Sequence, residues 1–182
     1  APYIDDLVPR RDELVAGFVG SPAACGRIVS IDVSAAMEIP GVVGCWTAND
    51  IPGERAFGPH FRDEPVLADG EVLYVGQPVV VVAAKSQQAL LNAIDAVMLA
   101  GAESAPTLTI ERALELALYI GPPLEISRGD AAAAIADAPH RLSGVFHNGG
   151  QEQFYLESQA AIAYPGEEGR LNIISSTQST SE

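Results

Sequence analysis

The stretch Asp63–Ala84, DEPVLADGEVLYVGQPVVVVAA, holds two extended segments that meet at Gly76, Gln77 and Pro78. The first, Glu71–Val75, mixes apolar and polar residues as a half-exposed strand does. The second, Val79–Ala84, is an unbroken apolar run rich in valine, the pattern of a strand covered on both faces. Gly76 permits a sharp turn, and Pro78, which lacks an N–H, suits the start or edge of a strand. The reading is a buried central strand fed by a bent neighbour, with the other elements packed on it.

On the N-terminal side, Ala1–Arg11 reads as an extended arm. Its acids Asp5 and Asp6 point to opposite faces of extended chain, either solvated or paired with Arg10 or Arg11. Leu14–Val19 is a short strand closed by Gly20, Ser21 and Pro22, and Ala24–Asp32 leads into a second. Ser34 is the expected N-cap of a short helix over Ala35–Ile39, stopped by Pro40 and Gly41. Val42–Thr47 is the next strand, followed by a turn opened by Thr47 or Asn49. The Gly-, Pro- and charge-rich stretch from Glu54 to Glu64 reads as a loop. His60 within it stands apart from other ligand-type residues and makes a poor metal site.

Beyond the central strand, Ser86 caps a helix reaching about Met98, with Ala89, Leu90, Ala93, Ile94 and Val97 on one stripe. A weaker strand follows around Gly101, then a helix opened by Thr109. The layout is βαβ-like with hairpins, and no Gly-x-Gly-x-x-Gly joins a strand to a helix. Gly121, Pro122 and Pro123 mark a boundary, because two prolines after a glycine stop a helix. Asp130 caps an Ala-rich helix over Ala131–Asp137. His140–Phe146 and Leu156–Tyr164 read as strands, and Leu171–Ser175 pairs back across the turn at Pro165–Gly169.

With 48% hydrophobic residues the chain can build a core, and its elements argue an α+β class. The net charge of −14, with 10 Lys+Arg, argues against nucleic acid and anionic membrane surfaces. Cys25 and Cys45 read as small buried hydrophobes rather than a disulfide or metal knuckle. No apolar run approaches bilayer length and no signal peptide is visible, so the expected location is cytoplasmic.

One stretch has the makings of a site: GGQEQFYLE, Gly149–Glu157. Adjacent glycines allow unusual backbone and leave room for a bulky ligand. Gln151 adds a neutral donor and acceptor, while Phe154 and Tyr155 would make an apolar wall. The same residues also suit a bulged turn into a strand. The chain shows no nucleophile elbow, no zinc-protease motif and no phosphate loop.

DEP-x-LADGEVLYVGQPV, with VVGCWTANDIPG (42–53) and GGQEQFYLE (149–157), resembles the start of the molybdenum-binding subunit of the xanthine dehydrogenase family. The likeness runs from Tyr3 to Glu182. It implies an α/β-hammerhead domain with a short mixed sheet at 1–121, then the incomplete beginning of an α/β molybdopterin-binding domain at 122–182. The complete enzyme would carry molybdenum-molybdopterin, with 2Fe-2S clusters and FAD on other domains or subunits. Its substrate would be a purine, xanthine or hypoxanthine, hydroxylated at a carbon next to nitrogen. LADGEVLYVGQPV and GQEQFYLE favour the xanthine branch over aldehyde oxidases and carbon monoxide dehydrogenases.

By the same resemblance, Gln151 lies beside the molybdenum and contacts its oxo ligand through the amide, a contact outside the metal's own ligand set. Gly150 and Phe154 would wall the site, and Glu152 and Glu157 match as positioning residues. The general-base glutamate lies beyond this segment, so no catalytic residue, bound cofactor or activity is expected of the 182 residues alone. Partners implied are the remainder of the large subunit and an iron–sulfur/FAD subunit or domain. Three departures stand out: Gln153 where the family carries His, no Tyr-Glu around Ala100–Ser104, and Ser179-Thr180 in place of His-Pro. Glutamine keeps a histidine's hydrogen bond but not its titration. The alternative reading is a stand-alone acidic binding or assembly module that reuses the hammerhead fold without chemistry.

Overall fold

The computed structural model describes residues 3–58 and 61–178. His60, Ser179 and Thr180 lie outside the described residues. The chain divides into two compact units, Ala1–Pro106 with Glu157–Glu182, and Thr107–Leu156.

In the first unit β1 (Val15–Gly20) and β2 (Gly26–Asp32) precede the one-turn helix α1 (Ser34–Met37) and strand β3 (Val42–Trp46). Two-residue strands β4 (Ala56–Phe57) and β5 (Glu64–Pro65) pair with each other inside the stretch expected to be a loop. Then come β6 (Glu71–Val72), β7 (Pro78–Ala84), α2 (Gln87–Ala96) and β8 (Met98–Glu103). The second unit holds α3 (Ile110–Glu115) and α4 (Ala131–Asp137). Back in the first, β9 (Ala161–Pro165) and β10 (Leu171–Ser175) form an antiparallel hairpin.

The valine run is central, as its composition requires. Strand β7 lies between β1 and β3 and pairs antiparallel with both. Val79, Val80, Val82 and Ala84 are fully buried. Helix α2 covers one face with Ala89, Leu90 and Ala93, starting at Ser86, whose Oγ accepts the Ala89 N–H at 3.2 Å. A second sheet, β6-β2-β8, adds Val72, Ile28, Ile31 and Leu99 to the same core. The α+β class therefore holds. Every described strand pair is antiparallel, so the parallel component expected of a mixed sheet and a βαβ-like layout is absent among the described residues. Instead α2 carries the chain from β7 in one sheet to β8 in the other.

The turn between the two halves of the opening stretch is held by backbone and one amide. Gly76 adopts φ +86° and donates its N–H to Ser21 O at 2.7 Å, while Ser21 N–H donates to Gln77 O at 2.8 Å. A Cβ on Gly20 would sit 2.9 Å from the Gly76 backbone, so the close approach demands glycine there. Gln77 is buried and its Oε1 accepts the Leu73 N–H at 2.7 Å.

Several expectations need correction. Glu71–Val75 contributes only two strand residues, and these pair with β2 rather than with β7. Ser34 is not the N-cap of α1. It is the first helical residue, and its N–H is taken by Asp32 Oδ1 at 2.9 Å, an Asx-type turn that competes with Ser34 capping. The arm is not fully extended, since Ile4–Asp6 forms a 3-10 turn in which Asp6 accepts the Tyr3 N–H at 3.0 Å. Asp5 accepts from the Ser158 hydroxyl, not from an arginine, and the Arg10 guanidinium lies 3.8 Å over the Tyr164 ring. The arm is thus tied to the β9–β10 hairpin. Cys25 and Cys45 are free thiols and only partly buried.

In the second unit the caps fall as expected. Thr109 Oγ1 accepts the Arg112 N–H at 3.1 Å and Asp130 Oδ1 accepts the Ala133 N–H at 2.9 Å. His140–Phe146 is not a strand, because no described segment offers it a ladder, and Leu142 and Phe146 stay exposed. Leu156–Tyr164 becomes strand only from Ala161, where Ser175 first stands opposite.

Candidate functional site

Gly149–Glu157 follows α4 in extended and irregular backbone with no strand partner. Neither glycine of the pair adopts the left-handed conformation, and a methyl group on either would meet nothing within 4 Å. The expected bulged turn into a strand is therefore absent. What the glycines provide is open space beside the main chain. The left-handed residue is Phe154, with φ 52°, an uncommon conformation for a bulky side chain. Its N–H donates to Glu152 Oε1 at 3.3 Å, a short-range contact that braces the turn.

The Phe154 ring is 93% exposed. The Gln151 side chain is exposed too and makes no hydrogen bond to another described residue. Tyr155, by contrast, has an interaction partner. Together these residues present a neutral carboxamide, an open backbone and an apolar ring along one short stretch. Such a set fits one wall of a cofactor site. A carboxamide binds through hydrogen bonds and is a weak metal ligand, so the stretch does not suit direct metal coordination. Among the described residues no group of three or more His, Cys, Asp or Glu could hold a metal ion.

The first unit contains a cavity of about 340 Å³ between its two sheets, lined in part by Ser21, Arg27, Val72, Leu99 and Glu103. Gly150, Gln151 and Phe154 do not line it. Shifted titrating groups serve local structure. Asp32 is held below the usual carboxylate range by the Ser34 N–H and hydroxyl, and Asp50 by those of Thr47 in a capping box. Burial pushes the Cys45 thiol up. Two features were not picked out from sequence. The burial of Gln77 follows from packing, and the only local clue was its place in a Gly-Gln-Pro turn. The backbone of Phe154 carries no composition signal at all.

Family comparison places these observations in context. The model described as aldehyde oxidase and xanthine dehydrogenase, a/b hammerhead domain, matches residues 1–103. The molybdopterin cofactor-binding domain model matches 117–182. The chain is 37% identical over 179 residues to xanthine dehydrogenase/oxidase of Gallus gallus, covering 98% of this chain and 13% of that protein. It is also 37% identical over 188 residues to nicotinate hydroxylase hnxS of Emericella nidulans, covering 100% and 14%. Among solved structures, aldehyde oxidoreductase from Desulfovibrio gigas superposes with a TM-score of 0.84 at 26% identity, over 96% of this chain and 21% of that one. The chain thus spans about one seventh of the length of the curated relatives it matches.

Proposed function

Since this chain belongs to the aldehyde oxidase and xanthine dehydrogenase family, we propose that it is the N-terminal part of the molybdenum-binding subunit of a xanthine dehydrogenase-type hydroxylase. The observation that carries this reading is the succession of two family matches in one chain, hammerhead at 1–103 and molybdopterin-binding at 117–182. The boundary between the two domains falls at about Gly121, before Pro122 and Pro123.

The complete protein hydroxylates hypoxanthine and xanthine to urate in purine catabolism. When bound, the molybdenum-molybdopterin group supplies the redox chemistry at the substrate carbon. The residues of this chain position it. With the cofactor bound, the Gln151 carboxamide would donate a hydrogen bond to one of its acceptor oxygens and would add no charge at the centre. Gly149 and Gly150 leave room for that approach, as the open space beside their backbone supports. The exposed Phe154 ring forms an apolar wall that excludes water once covered. The general base lies outside this segment, so the 182 residues alone are inactive.

Partners are the rest of the large subunit and an iron–sulfur/FAD subunit or domain that removes electrons, and the setting is cytoplasmic. Among the described residues no helix is long and apolar enough to cross a membrane. Because a nicotinate hydroxylase is as similar as a xanthine dehydrogenase, the test compares substrates. The longer protein carrying this sequence, purified and supplied with an electron acceptor, is assayed on hypoxanthine, xanthine and nicotinate. Turnover of the purines with little on nicotinate supports the assignment. Turnover of nicotinate alone would move it to another branch, and turnover of none would reject it.

A further inference from the structure

The cavity between the two sheets of the first unit is a product of strand register. Across the second sheet, Val72 of β6, Gly26 of β2 and Glu103 of β8 stand in one row, and two residues along β2 Ile28 stands opposite Gly101. Residues directly opposite in a ladder share a face of the sheet. Val72 belongs to the core and Ile28 packs against it, so both rows face inward. Each row carries a glycine where a side chain would otherwise fill space. A Cβ on Gly101 would lie 2.7 Å from the Arg27 carbonyl oxygen, and one on Gly26 would meet the Ala102 carbonyl oxygen closer still. The strands run too close there for side chains. The volume left beside them, with Val79 of β7 in its wall, is about 340 Å³.

Its polar lining is sparse. The Ser21 hydroxyl is already used, donating to Ala23 O at 3.0 Å and accepting the Ala23 N–H at 3.1 Å. Arg27 stands in the alternate row with Glu71 and Ala102, which faces the other side of the sheet. Glu103 shares the inward face of Val72 and lines the cavity. The ladder continues past it, because the Ser104 N–H donates to Cys25 O at 3.0 Å and so fixes the strand end. Glu103 is exposed and makes no ion pair or hydrogen bond with another described residue. Ile28, Val72, Val79 and Leu99 make the rest of the wall apolar. An apolar chamber with one uncompensated carboxylate at its rim complements a ligand with an apolar body and a positive end, and disfavours anions. Size sets the body. An engineered cavity of about 150 Å³ takes benzene, so one ring with a short arm fits here.

We propose that this cavity is a binding site for a small organic ammonium ion, a single apolar ring bearing a primary amine, with Glu103 holding the charged end. The site shares no residue with the stretch assigned to the cofactor and stands independently of the hydroxylase reading. The test is a ligand-observed NMR titration at pH 7 of the native protein that carries this sequence, with benzylamine, benzyl alcohol and benzoate as probes. Benzylamine should bind about ten-fold more tightly than the uncharged alcohol, as a hydrogen bond to a charged group provides, and benzoate should not bind. Glu103→Gln should bring benzylamine to the level of benzyl alcohol. Glu103→Asp keeps the charge and should stay within about three-fold of the parent, the range of a partly exposed ion pair. Parent and variants should melt together, since Glu103 has no partner to lose.

Benzylamine affinity that Glu103→Gln leaves unchanged would overturn the proposal, because the amine would then sit elsewhere. Equal affinity for the three probes would overturn it too, as would no binding of benzylamine. Molybdenum content and turnover in the same sample report separately on the hydroxylase reading. A metal-free, inactive protein that binds benzylamine through Glu103 retains this site and sinks that reading, whereas an active, molybdenum-loaded protein that ignores benzylamine does the reverse.

Discussion

The buried Gln77 carboxamide accepts the Leu73 N–H at 2.7 Å, and this bond joins the two sheets of the first unit at their shared turn. Leu73 directly follows β6 in one sheet, and Gln77 directly precedes β7 in the other. Replacing Gln77 by leucine keeps the volume and removes the acceptor. The expected cost is about 1–3 kcal/mol, the range for stranding a partly buried donor, read as a lower midpoint in urea with an unchanged slope. A shift within experimental error would mean that water replaces the amide.

Cys45 packs against the core from β3, and burial pushes its thiol up. The thiolate is the nucleophile in alkylation, so in a Cys25→Ser background Cys45 should react slowly with iodoacetamide at pH 8. Its rate profile should be displaced to higher pH than that of a free thiol. Linkage gives a matching stability trend. The folded state holds the proton more tightly than the unfolded one, so the contribution is intact below the unfolded pKa. It is lost as pH rises toward the folded value. Urea midpoints measured between pH 8 and pH 10 for Cys45 and Cys45→Ala chains should converge with rising pH.

The Thr47–Asp50 capping box has the opposite sign. The Asp50 carboxylate accepts the Thr47 N–H at 2.7 Å and the hydroxyl at 3.0 Å, and both bonds hold it below its ordinary value of 3.8. Its stabilising effect is therefore present above that ordinary value and lost as pH falls through the lower, folded one. Thermal melts of Asp50 and Asp50→Asn chains should differ at pH 6 and draw together on acidification. A difference that persists at the lowest pH would assign the effect to shape rather than charge.

The Gln151 side chain is exposed and makes no hydrogen bond to another described residue. Gln151→Ala should leave the melting of the 182-residue chain within about 0.5 kcal/mol of the parent, as surface substitutions do. In the longer enzyme the same change should lower kcat/KM by about 10–100-fold, the usual effect of removing an outer hydrogen bond at a metal centre. Measuring both separates a positioning role from a structural one. Lost stability with unaltered kinetics would contradict it.

How much of this was legible follows from which interactions are local. The valine run, the Ser86, Thr109 and Asp130 caps and the hairpin turn at Pro165 are written in neighbouring residues, and the structure places them where the pattern does. Strand pairing is not local. His140–Phe146 has strand composition but no described partner, and Glu71–Val75 is cut to two residues because β2 offers it only Gly26 and Arg27. The Val72–Gly26–Glu103 row joins residues far apart in the chain through register, which composition does not encode. Gln151 stood out through its resemblance to a family motif, since an exposed glutamine after two glycines has no physical signature of its own.

The central claim is that these residues begin a molybdenum hydroxylase subunit. The most direct test is the mass of the native polypeptide that carries this sequence, with its molybdenum content measured in the same fraction. The account predicts a chain several times longer than 182 residues, with molybdenum co-purifying in about equimolar amount, as a single tightly held cofactor requires. A native polypeptide of this size free of molybdenum would contradict it.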